Sequence, residues 1–421
     1  MSTQTVTIAR LGAQGDGIAQ TEAGPVYAPF TLPGETVALA VNKAHGTLMS
    51  LKEPSPDRVE PKCRHFGPDG VNGACGGCTL QHASDDLYHA FKRNLVIDAL
   101  KSKGLTPDVA PLVVAHPGER RRVVFTARRT EKEMLLGFNQ AESHHIVAIS
   151  ECPISGPGIV SRLATIRKIA AAMASSAEPF RITVLETNAG LDLAFEGIKL
   201  ADRQRRLTVE TVLGERGIAR VSLNGEIIVE PVKPVIDFGS VTVSPPPGSF
   251  TQATRPAEEA MAKLVLEHVG KAKHVADLFS GIGTFALRIA QRARVHAVEG
   301  DDKALKALDF AARNTQGLKP VTIERRDLFR RPLMVQELKS YDAVVFDPPR
   351  AGAEAQCHEL ARSGVKKIAA VSCNPVTLAR DLAILTAAGY RITSVTPIDQ
   401  FLWSAHVEAV ATLEKPQRAF P

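Results

Sequence analysis

Cys373 is the residue of this sequence whose position most suggests chemistry. It follows the apolar run "KIAAVS" and precedes Asn374, Pro375 and a segment with helical periodicity. In an open α/β sheet, ligands bind just outside the carboxyl ends of the strands, so a thiol placed there could act as a nucleophile. A free cysteine is also a common packing residue, and this segment alone does not separate the two roles.

An acidic residue is predicted to lie at the same edge of the sheet. The stretch "FDPPRAG", residues 346–352, ends another strand-like segment with Asp347 and two prolines. The prolines make the turn rigid, so the carboxylate is presented at the end of its strand. The alternative is a purely structural turn. We expect Asp347 and Cys373 to line one crevice, because neighbouring parallel strands end at the same edge.

A third stretch, "DLFSGIGTFAL" (residues 277–287), could bind a nucleoside cofactor. Gly281 and Gly283 allow a ligand to approach the backbone closely, and Glu299 ends the next strand about twenty residues later, where nucleotide-binding folds hold ribose hydroxyls. The third glycine of the dinucleotide fingerprint is absent. Asp277 would repel a pyrophosphate but attract a cationic aminoacyl group. The loop therefore favours S-adenosylmethionine over NAD, with an ordinary tight turn as the alternative.

The segments that must position these residues fall into three regions of a multidomain α/β protein. Residues 1–54 read as short strands with Gly and Pro turns, typical of a small β-barrel. Residues 60–245 are mixed α+β, and their helical pattern at 85–104 could pack on the catalytic region. After the hinge "SPPPGS", residues 249–421 alternate strand and helix patterns, which predicts a Rossmann-like domain with parallel βαβ units.

Composition narrows the class of protein. The chain has 421 residues, 44% of them hydrophobic, but no apolar run long enough to cross a membrane. The first residues lack the pattern of a secretory signal, so we expect a cytoplasmic protein with reduced cysteines. The formal net charge of +6 and the pI near 9.0 favour an anionic partner such as nucleic acid.

Four other cysteines suggest a metal centre in the central region. Cys75 and Cys78 form a "CGGC" turn, Cys63 precedes it in the same Gly-rich segment, and Cys152 follows at a distance in "ECPI". Four thiolates can hold either a zinc ion or an iron–sulfur cluster, and simple packing is the alternative. Cys357 has no partner in this pattern and is expected to be structural.

Taken together, the motifs "DLFSGIG", "FDPPRAG", "SCNP" and "HVEAVATLEK" resemble, in order and spacing, those of the RNA uracil-5-methyltransferases. The resemblance covers essentially the whole chain. It implies that Cys373 is the nucleophile and Glu408 the general base, with Asp347 also in the active site. It also implies that the cofactor and base pockets contain Gln252, Phe279, Gly281, Thr284, Glu299, Asp327 and Asp347. One departure is Thr254, where the family usually has Asn.

The reaction of that family accounts for these residue types. C5 of uracil is a poor nucleophile until a thiolate adds to C6 and converts the ring into an enolate, which then attacks the methyl sulfonium. A carboxylate must remove the C5 proton before the cysteine can leave. The target carbon is inaccessible in a stacked helix, so the base must be unpaired or flipped out.

Some ribosomal-RNA members of the family carry a [4Fe-4S] cluster on C-x5-C-x2-C plus a distant "CP", and an N-terminal TRAM domain. Here eleven residues separate Cys63 from Cys75, through the insert "PDGVNG", and zinc stays the alternative. The resemblance implies methylation of C5 of a uridine in 23S rRNA. A transfer-RNA substrate and a non-catalytic RNA-binding assembly factor are the alternatives. We expect a monomer with RNA as its partner, no obligate protein partner and no association with membranes.

An arginine-rich stretch, "ERRRVVFTARR", could contact the RNA. Alternate residues of a strand share a face, so Arg120, Arg122 and Arg128 should project together and Arg121 oppositely. A solvated polar face is the alternative. If this face lies beside the crevice, its arginines would contact phosphates, which position an RNA without reading its sequence.

Overall fold

The computed structural model of the chain describes residues 2–416, and its first region is a closed five-stranded barrel. The strands are β1 (Ser2–Leu11), β2 (Gly17–Thr21), β3 (Gly24–Ala28), β4 (Thr36–Asn42) and β5 (His45–Glu53), in the order β1-β2-β3-β5-β4. Apolar side chains that alternate along these strands, among them Ile8, Val26 and Leu39, fill the interior. The barrel predicted for the N-terminus is confirmed.

Helix α1 (Asp85–Lys101) follows the cysteine segment, and the chain then forms the seven-stranded mixed sheet of the central region. Its strands are β6 (Arg122–Arg129), β7 (Met134–Asn139), β8 (Ile146–Ala148), β9 (Phe180–Thr187), β10 (Gly190–Glu196), β11 (Ile218–Leu223) and β12 (Glu226–Val229), in the order β12-β11-β10-β9-β6-β7-β8. Helices α2 (Pro157–Val160), α3 (Leu163–Met173) and α4 (Asp202–Leu213) accompany it. A hairpin of β13 (Ile236–Phe238) and β14 (Val241–Val243) leads to the last region.

The C-terminal region is a second seven-stranded sheet flanked by helices. Its strands are β15 (His274–Leu278), β16 (Arg294–Glu299), β17 (Val321–Arg325), β18 (Ala343–Phe346), β19 (Lys367–Ser372), β20 (Arg391–Ile398) and β21 (Glu408–Glu414). Its helices are α5 (Arg255–Val269), α6 (Ala286–Ile289), α7 (Asp302–Arg313), α8 (Val335–Leu338), α9 (Glu354–Arg362) and α10 (Pro375–Ala387). The sheet order is β17-β16-β15-β18-β19-β21-β20, and β15 to β19 pair in parallel, as the alternating pattern predicted.

The last strand is the exception that shapes the site. β21 inserts between β19 and β20 and runs antiparallel to both, so that Ser372 at the end of β19 lies opposite Ala409 near the start of β21. An antiparallel strand begins where its parallel neighbours end. Glu408 therefore enters the sheet at the edge from which Cys373 and Asp347 emerge.

Helix α1 belongs structurally to this C-terminal core. Its Val96 and Leu100 pack in one buried cluster with residues of the C-terminal sheet. Beyond α1, Val109 and Val113 form parallel bridges with β20 at Val395 and Ile398. The chain thus crosses onto the C-terminal sheet before it builds the central one. Among residues 2–416, no helix has both the length and the apolar character needed to cross a membrane.

A buried ion pair joins α1 to the loop that precedes Glu408. Lys92 is fully buried and its Nζ lies 3.0 Å from Oδ1 of Asp399, and it also donates to the carbonyls of Phe401 and His406. The Tyr88 hydroxyl donates to Asp399 Oδ2 (2.6 Å) and accepts from the Trp403 amide (2.7 Å). The β20–β21 loop is therefore held by a satisfied polar cluster and not by apolar packing alone.

We predict that Lys92→Met destabilises the protein by about 3–5 kcal/mol, because it leaves Asp399 charged and buried without its cation. The thermal unfolding midpoint should fall, and Lys92→Met combined with Asp399→Asn should recover part of the loss. Lys101→Met, which removes an exposed lysine from the same helix, is the control. Equal midpoints for Lys92→Met and Lys101→Met would contradict the prediction.

Candidate active site

Cys373 lies between the end of β19 and the start of α10, and the two residues that follow it form this turn. Asn374 is the N-cap of α10, its side chain accepting from the Val376 amide (3.1 Å), and Pro375 occupies the first helical position, where a proline costs no hydrogen bond. The Asn374 Nδ2 also donates to the Arg350 carbonyl (3.1 Å), in the turn after Asp347. The "SCNP" and "FDPPRAG" turns are thereby tied together, and the thiol is half-buried between them.

A chain of hydrogen bonds connects the two carboxylates of the crevice. Gln252 Nε2 donates to Asp347 Oδ2 (2.9 Å), Gln400 Nε2 donates to Gln252 Oε1 (2.8 Å), and the same Gln400 nitrogen donates to Glu408 Oε1 (2.6 Å). Gln400 and Glu408 are only 1% and 3% exposed. Sequence reasoning singled out three of these residues but missed Gln400, which lies in a loop and in none of the motifs.

Burial raises the pKa of all three reactive groups. The pKa of Glu408 rises to about 8, through burial first and the charge of Asp347 second, while Gln400, Lys92 and Arg350 oppose the shift. Burial raises the pKa of Asp347 to about 7, opposed by Gln252. The pKa of the Cys373 thiol rises to about 11, through burial and then through Glu408 and Asp347. Burial and the neighbouring acids therefore disfavour the accumulation of negative charge in this crevice.

The loop after β15 has the shape of a cofactor cradle. Phe279 has a φ of 57°, which is unusual for a bulky side chain, and Gly281 and Gly283 have φ of 52° and 100°. The Gly281 amide donates to Glu299 Oε2 (3.0 Å), while Oε1 of Glu299 accepts from the Gly300 amide (2.6 Å). A Cβ at Gly281 would meet nothing within 4 Å, so open space lies beside this backbone.

Unsatisfied polar atoms point into the same region. Asp277 is completely buried, and neither carboxylate oxygen has a hydrogen-bond partner of ordinary geometry among residues 2–416. Burial raises the pKa of Asp277 well above its usual value, against the opposing effect of the Ala286 amide. Ser280 Oγ is also buried without a partner among the described residues. A buried acid without partners is costly unless a ligand satisfies it. The loop thus fits a ligand with a cationic, hydrogen-bonding end.

The remaining cofactor candidates lie around this loop. The rings of Phe279 and Phe329 are 5.4 Å apart, and Asp327, at the exposed rim, accepts from the amide of Phe329 (3.0 Å). The Thr284 carbonyl accepts from Arg288 (2.8 Å), which fixes the far side of the loop. Thr254, the departure from the family pattern, is the N-cap of α5 and accepts from the Ala257 amide, a role that Asn would also fill.

The structure brings Cys63, Cys75, Cys78 and Cys152 to one small cavity of about 20 Å³. The Cys75 amide donates to the His65 carbonyl and the Val71 amide to the Arg64 carbonyl, so the "PDGVNG" insert closes as a loop on the outside. Burial raises the pKa of Cys63, Cys75 and Cys78, that of Cys75 to about 11. Within residues 2–416, no three His, Cys, Asp or Glu side chains converge tightly enough to hold a single metal ion. Cys357 lies apart, fully buried in the core of the C-terminal region.

The arginines do not form one exposed face. β6 begins only at Arg122, whose guanidinium lies 5.7 Å from the centre of the exposed Phe250 ring. Arg120 is partly buried, its guanidinium lies 5.5 Å from the centre of the Phe401 ring, and its backbone bridges Ser155 and Thr254. Arg121 points away and pairs with Glu258, as the alternation predicted. Arg128 is exposed at the far end of the strand and donates to the Ala177 carbonyl.

Comparison with known proteins agrees with this geometry. Residues 195–416, over half of the chain, match the tRNA (Uracil-5-)-methyltransferase family, and residues 1–47 match the TRAM domain. An uncharacterised RNA methyltransferase of Rhizobium meliloti is 85% identical over 99% of this chain and 100% of its own length. A 23S rRNA (uracil(1939)-C(5))-methyltransferase, RlmD, of Pectobacterium atrosepticum is 31% identical over 97% of this chain and 92% of its own.

Among solved structures, the tRNA (uracil-54, C5)-methyltransferase of Pyrococcus abyssi, in complex with S-adenosyl-L-homocysteine, superposes with a TM-score of 0.74. The match covers 97% of this chain and 99% of that one, and at 24% identity it shows a shared fold. The family match, the full-length relatives and the arrangement of the crevice lead to one conclusion. The chain belongs to the RNA uracil-5-methyltransferase family, whose members are S-adenosylmethionine-dependent enzymes, and it carries an N-terminal TRAM domain.

Proposed function

We propose that this protein methylates C5 of a specific uridine in 23S rRNA, with Cys373 as the nucleophile and Glu408 as the general base. The observation that carries the proposal is the meeting of Cys373, Asp347 and Glu408 at one sheet edge, where each carboxylate influences the pKa of the thiol. The ribosomal substrate is favoured by the full-length similarity to a 23S rRNA enzyme.

Cys373 also opens into a cleft of about 850 Å³ between the barrel, helix α1 and the start of α10, and the two carboxylates of the crevice lie outside its lining. Its walls are mostly apolar, with Arg10 and Arg350 as cations and Asp98 as an acid. This cleft would be the approach of the RNA to the thiol, since apolar walls suit a base and cations suit phosphates.

S-adenosylmethionine, when bound, supplies an electrophilic methyl group and a positive charge. Gly281 and Glu299 would hold its nucleoside part and Asp277 its aminoacyl part. Cys373 must lose its proton to add to C6, and Glu408 must be ionised to accept the C5 proton. Burial disfavours both anions, so a cation bound beside them would lower both pKa values. Substrate and cofactor together would thus produce the reactive ionisation state.

A deletion strain tests the function. We expect 5-methyluridine to disappear from one position of 23S rRNA and to stay in transfer RNA, as mapped by mass spectrometry of nuclease digests. The wild-type gene should restore it, Cys357→Ala should restore it too, and Cys373→Ala should not. Loss from transfer RNA alone would transfer the assignment to the tRNA alternative, and an unchanged RNA would leave an assembly factor as the reading.

The two catalytic roles should separate in vitro on ribosomal RNA from that strain. Cys373→Ala should form no covalent RNA adduct. Glu408→Gln should add and transfer methyl but fail to expel the thiol, so a denaturation-resistant adduct should accumulate. Glu414→Gln, at the other end of β21 and partly exposed, should behave like wild type. Normal turnover by Glu408→Gln would show that another group removes the proton.

We further propose that Cys63, Cys75, Cys78 and Cys152 hold a [4Fe-4S] cluster. All four line one cavity, and thiolates are the ligands of such clusters. The choice of a cluster over zinc follows the resemblance, since four thiolates can also hold a zinc ion.

Protein purified without oxygen should accordingly be brown and contain iron and sulfide. Cys75→Ser and Cys152→Ser should lose the colour and most of the iron, while Cys357→Ser keeps both. Colourless protein with one equivalent of zinc would replace the cluster by a zinc site, and protein with neither metal would leave the cysteines as packing residues.

The RNA would reach the crevice along β6, past Arg122 and Phe250, and further out past Arg128. Arg120 is better described as a support for Phe401. Arg122→Gln with Arg128→Gln should weaken RNA binding and reduce its salt dependence, because fewer counterions are released. Binding isotherms at several salt concentrations check this, with the exposed Arg313→Gln on α7 as the control. An unchanged salt slope in the double variant would assign β6 to an ordinary solvated surface.

A further inference from the structure

We infer that Gln400 is a positioning residue: it fixes the orientation of the Gln252 amide and so selects a pyrimidine with a C4 carbonyl over one with a C4 amino group. The inference rests on the proposed function, since it assumes that the crevice receives a pyrimidine. It concerns a residue of the β20–β21 loop that none of the sequence motifs includes.

The orientation of Gln400 is set by a group that cannot be reversed. The backbone amide of Ala253 donates to Gln400 Oε1 at 2.9 Å. A backbone N–H can only donate, so the oxygen of the Gln400 side chain must face it. The nitrogen must then face the other way, where it meets two acceptors, Gln252 Oε1 at 2.8 Å and Glu408 Oε1 at 2.6 Å.

The orientation of Gln252 follows from that of Gln400. Because Gln400 presents a donor, Gln252 must turn its oxygen towards Gln400 and its nitrogen towards Asp347, to which it donates at 2.9 Å. The nitrogen carries two hydrogens and Asp347 takes one. The second N–H has no acceptor among the described residues and is therefore available to a ligand that binds beside Asp347. A reversed Gln252 would place two oxygens against each other at Asp347.

A fixed donor at this point discriminates between pyrimidines. The C4 substituent of uracil is a carbonyl that accepts, and that of cytosine is an amino group that donates. The available N–H of Gln252 can bond to the first but not to the second. The same donor gains strength as negative charge develops on the carbonyl oxygen after thiolate addition. Gln400 would thus act on binding and on the addition step through Gln252.

Gln400 also acts on Glu408, where a donor favours the ionised form. The charged groups that face Glu408 are Asp347 and Cys373, which oppose its ionisation, and Lys92 and Arg350, which favour it. Loss of Gln400 would remove one stabilising contact from this balance. Glu408 would then stay protonated to a higher pH, and the acidic limb of the rate profile would move upward.

Two variants and one control test the inference. Gln400→Met keeps the volume without any polar group, and Gln400→Glu keeps the acceptor for Ala253 but loses the donor. Gln356→Met removes a buried glutamine that bonds only to the backbone of Leu333, away from the crevice. The substrate probes are two transcripts of the rRNA segment that is methylated, one with uridine and one with cytidine at the target position.

The first measurement is competition. The cytidine transcript should inhibit methylation of the uridine transcript weakly in wild type and in Gln356→Met. In both Gln400 variants its inhibition constant should fall towards the KM of the uridine transcript by about tenfold or more, and the acidic limb of kcat should shift to higher pH. The inference would be overturned if Gln400→Met discriminated between the two transcripts as wild type does and kept the acidic limb of the kcat profile at the same pH.

The second measurement needs no RNA. Alkylation of Cys373 by iodoacetamide, followed at the peptide level, reports the negative charge beside the thiol. Because the pKa of Glu408 is about 8 and that of Cys373 about 11, the effect should appear near pH 8, where Glu408 is substantially ionised only in wild type. At that pH, Cys373 of Gln400→Met should be alkylated faster than Cys373 of wild type. Faster alkylation without methylation of any RNA would support the positioning role and refute the proposed function. Equal rates near pH 8 would contradict the effect on Glu408.

Discussion

The insertion of β21 between β19 and β20 is the constraint on which the active site depends. A sheet of parallel strands alone would collect loops at its carboxyl edge, but every group there would follow a strand. An antiparallel strand contributes its first residue to that edge instead. Glu408 can therefore be a buried member of the sheet and still lie beside Cys373, because Ala409 pairs with Ser372. The base is held by the sheet itself, with the rigidity of a core residue.

The loop that leads into β21 is held from three sides. Lys92 and Tyr88 of α1 bind Asp399, the guanidinium of Arg120 lies over Phe401, and the amides of Thr79 and Leu80 donate to the Trp403 carbonyl. Thr79 follows Cys78 directly. The cysteine segment and the catalytic base are thus connected through one residue of this loop. Whatever stabilises the cysteine segment also stabilises the approach to Glu408.

The ionisable groups of the crevice are arranged to be stable when cofactor and substrate are bound, and less so in the protein alone. Asp277 and Glu408 are buried, Asp347 and Cys373 are partly buried, and burial raises the pKa of all four groups. Such an arrangement costs stability in a free protein, since burial penalises each ionised form. It is favourable once a cation and a polar substrate fill the space. The two glutamines carry no charge, but Gln252 donates a hydrogen bond to Asp347 and Gln400 donates one to Glu408.

Local patterns in the sequence were sufficient to predict many elements of the C-terminal region. The strand–turn–helix repeats, the glycine loop and the Asn-Pro cap after Cys373 are properties of neighbouring residues, and each predicted the element that forms. The resemblance then singled out Cys373, Asp347, Gln252 and Glu408.

Other features depended on residues far apart in the chain, and only the folded protein could reveal them. Gln400 contacts Gln252 across 148 positions, and nothing in its own neighbourhood indicates a partner. The side chains of Arg120, Arg122 and Arg128 have different surroundings, because β6 starts only at Arg122. Arg120 lies before the strand and bridges Ser155 and Thr254 through its backbone, and its guanidinium lies over Phe401. Short-range periodicity specifies an element, whereas the orientation of a side chain at the end of that element is set by whichever distant segment pairs with it.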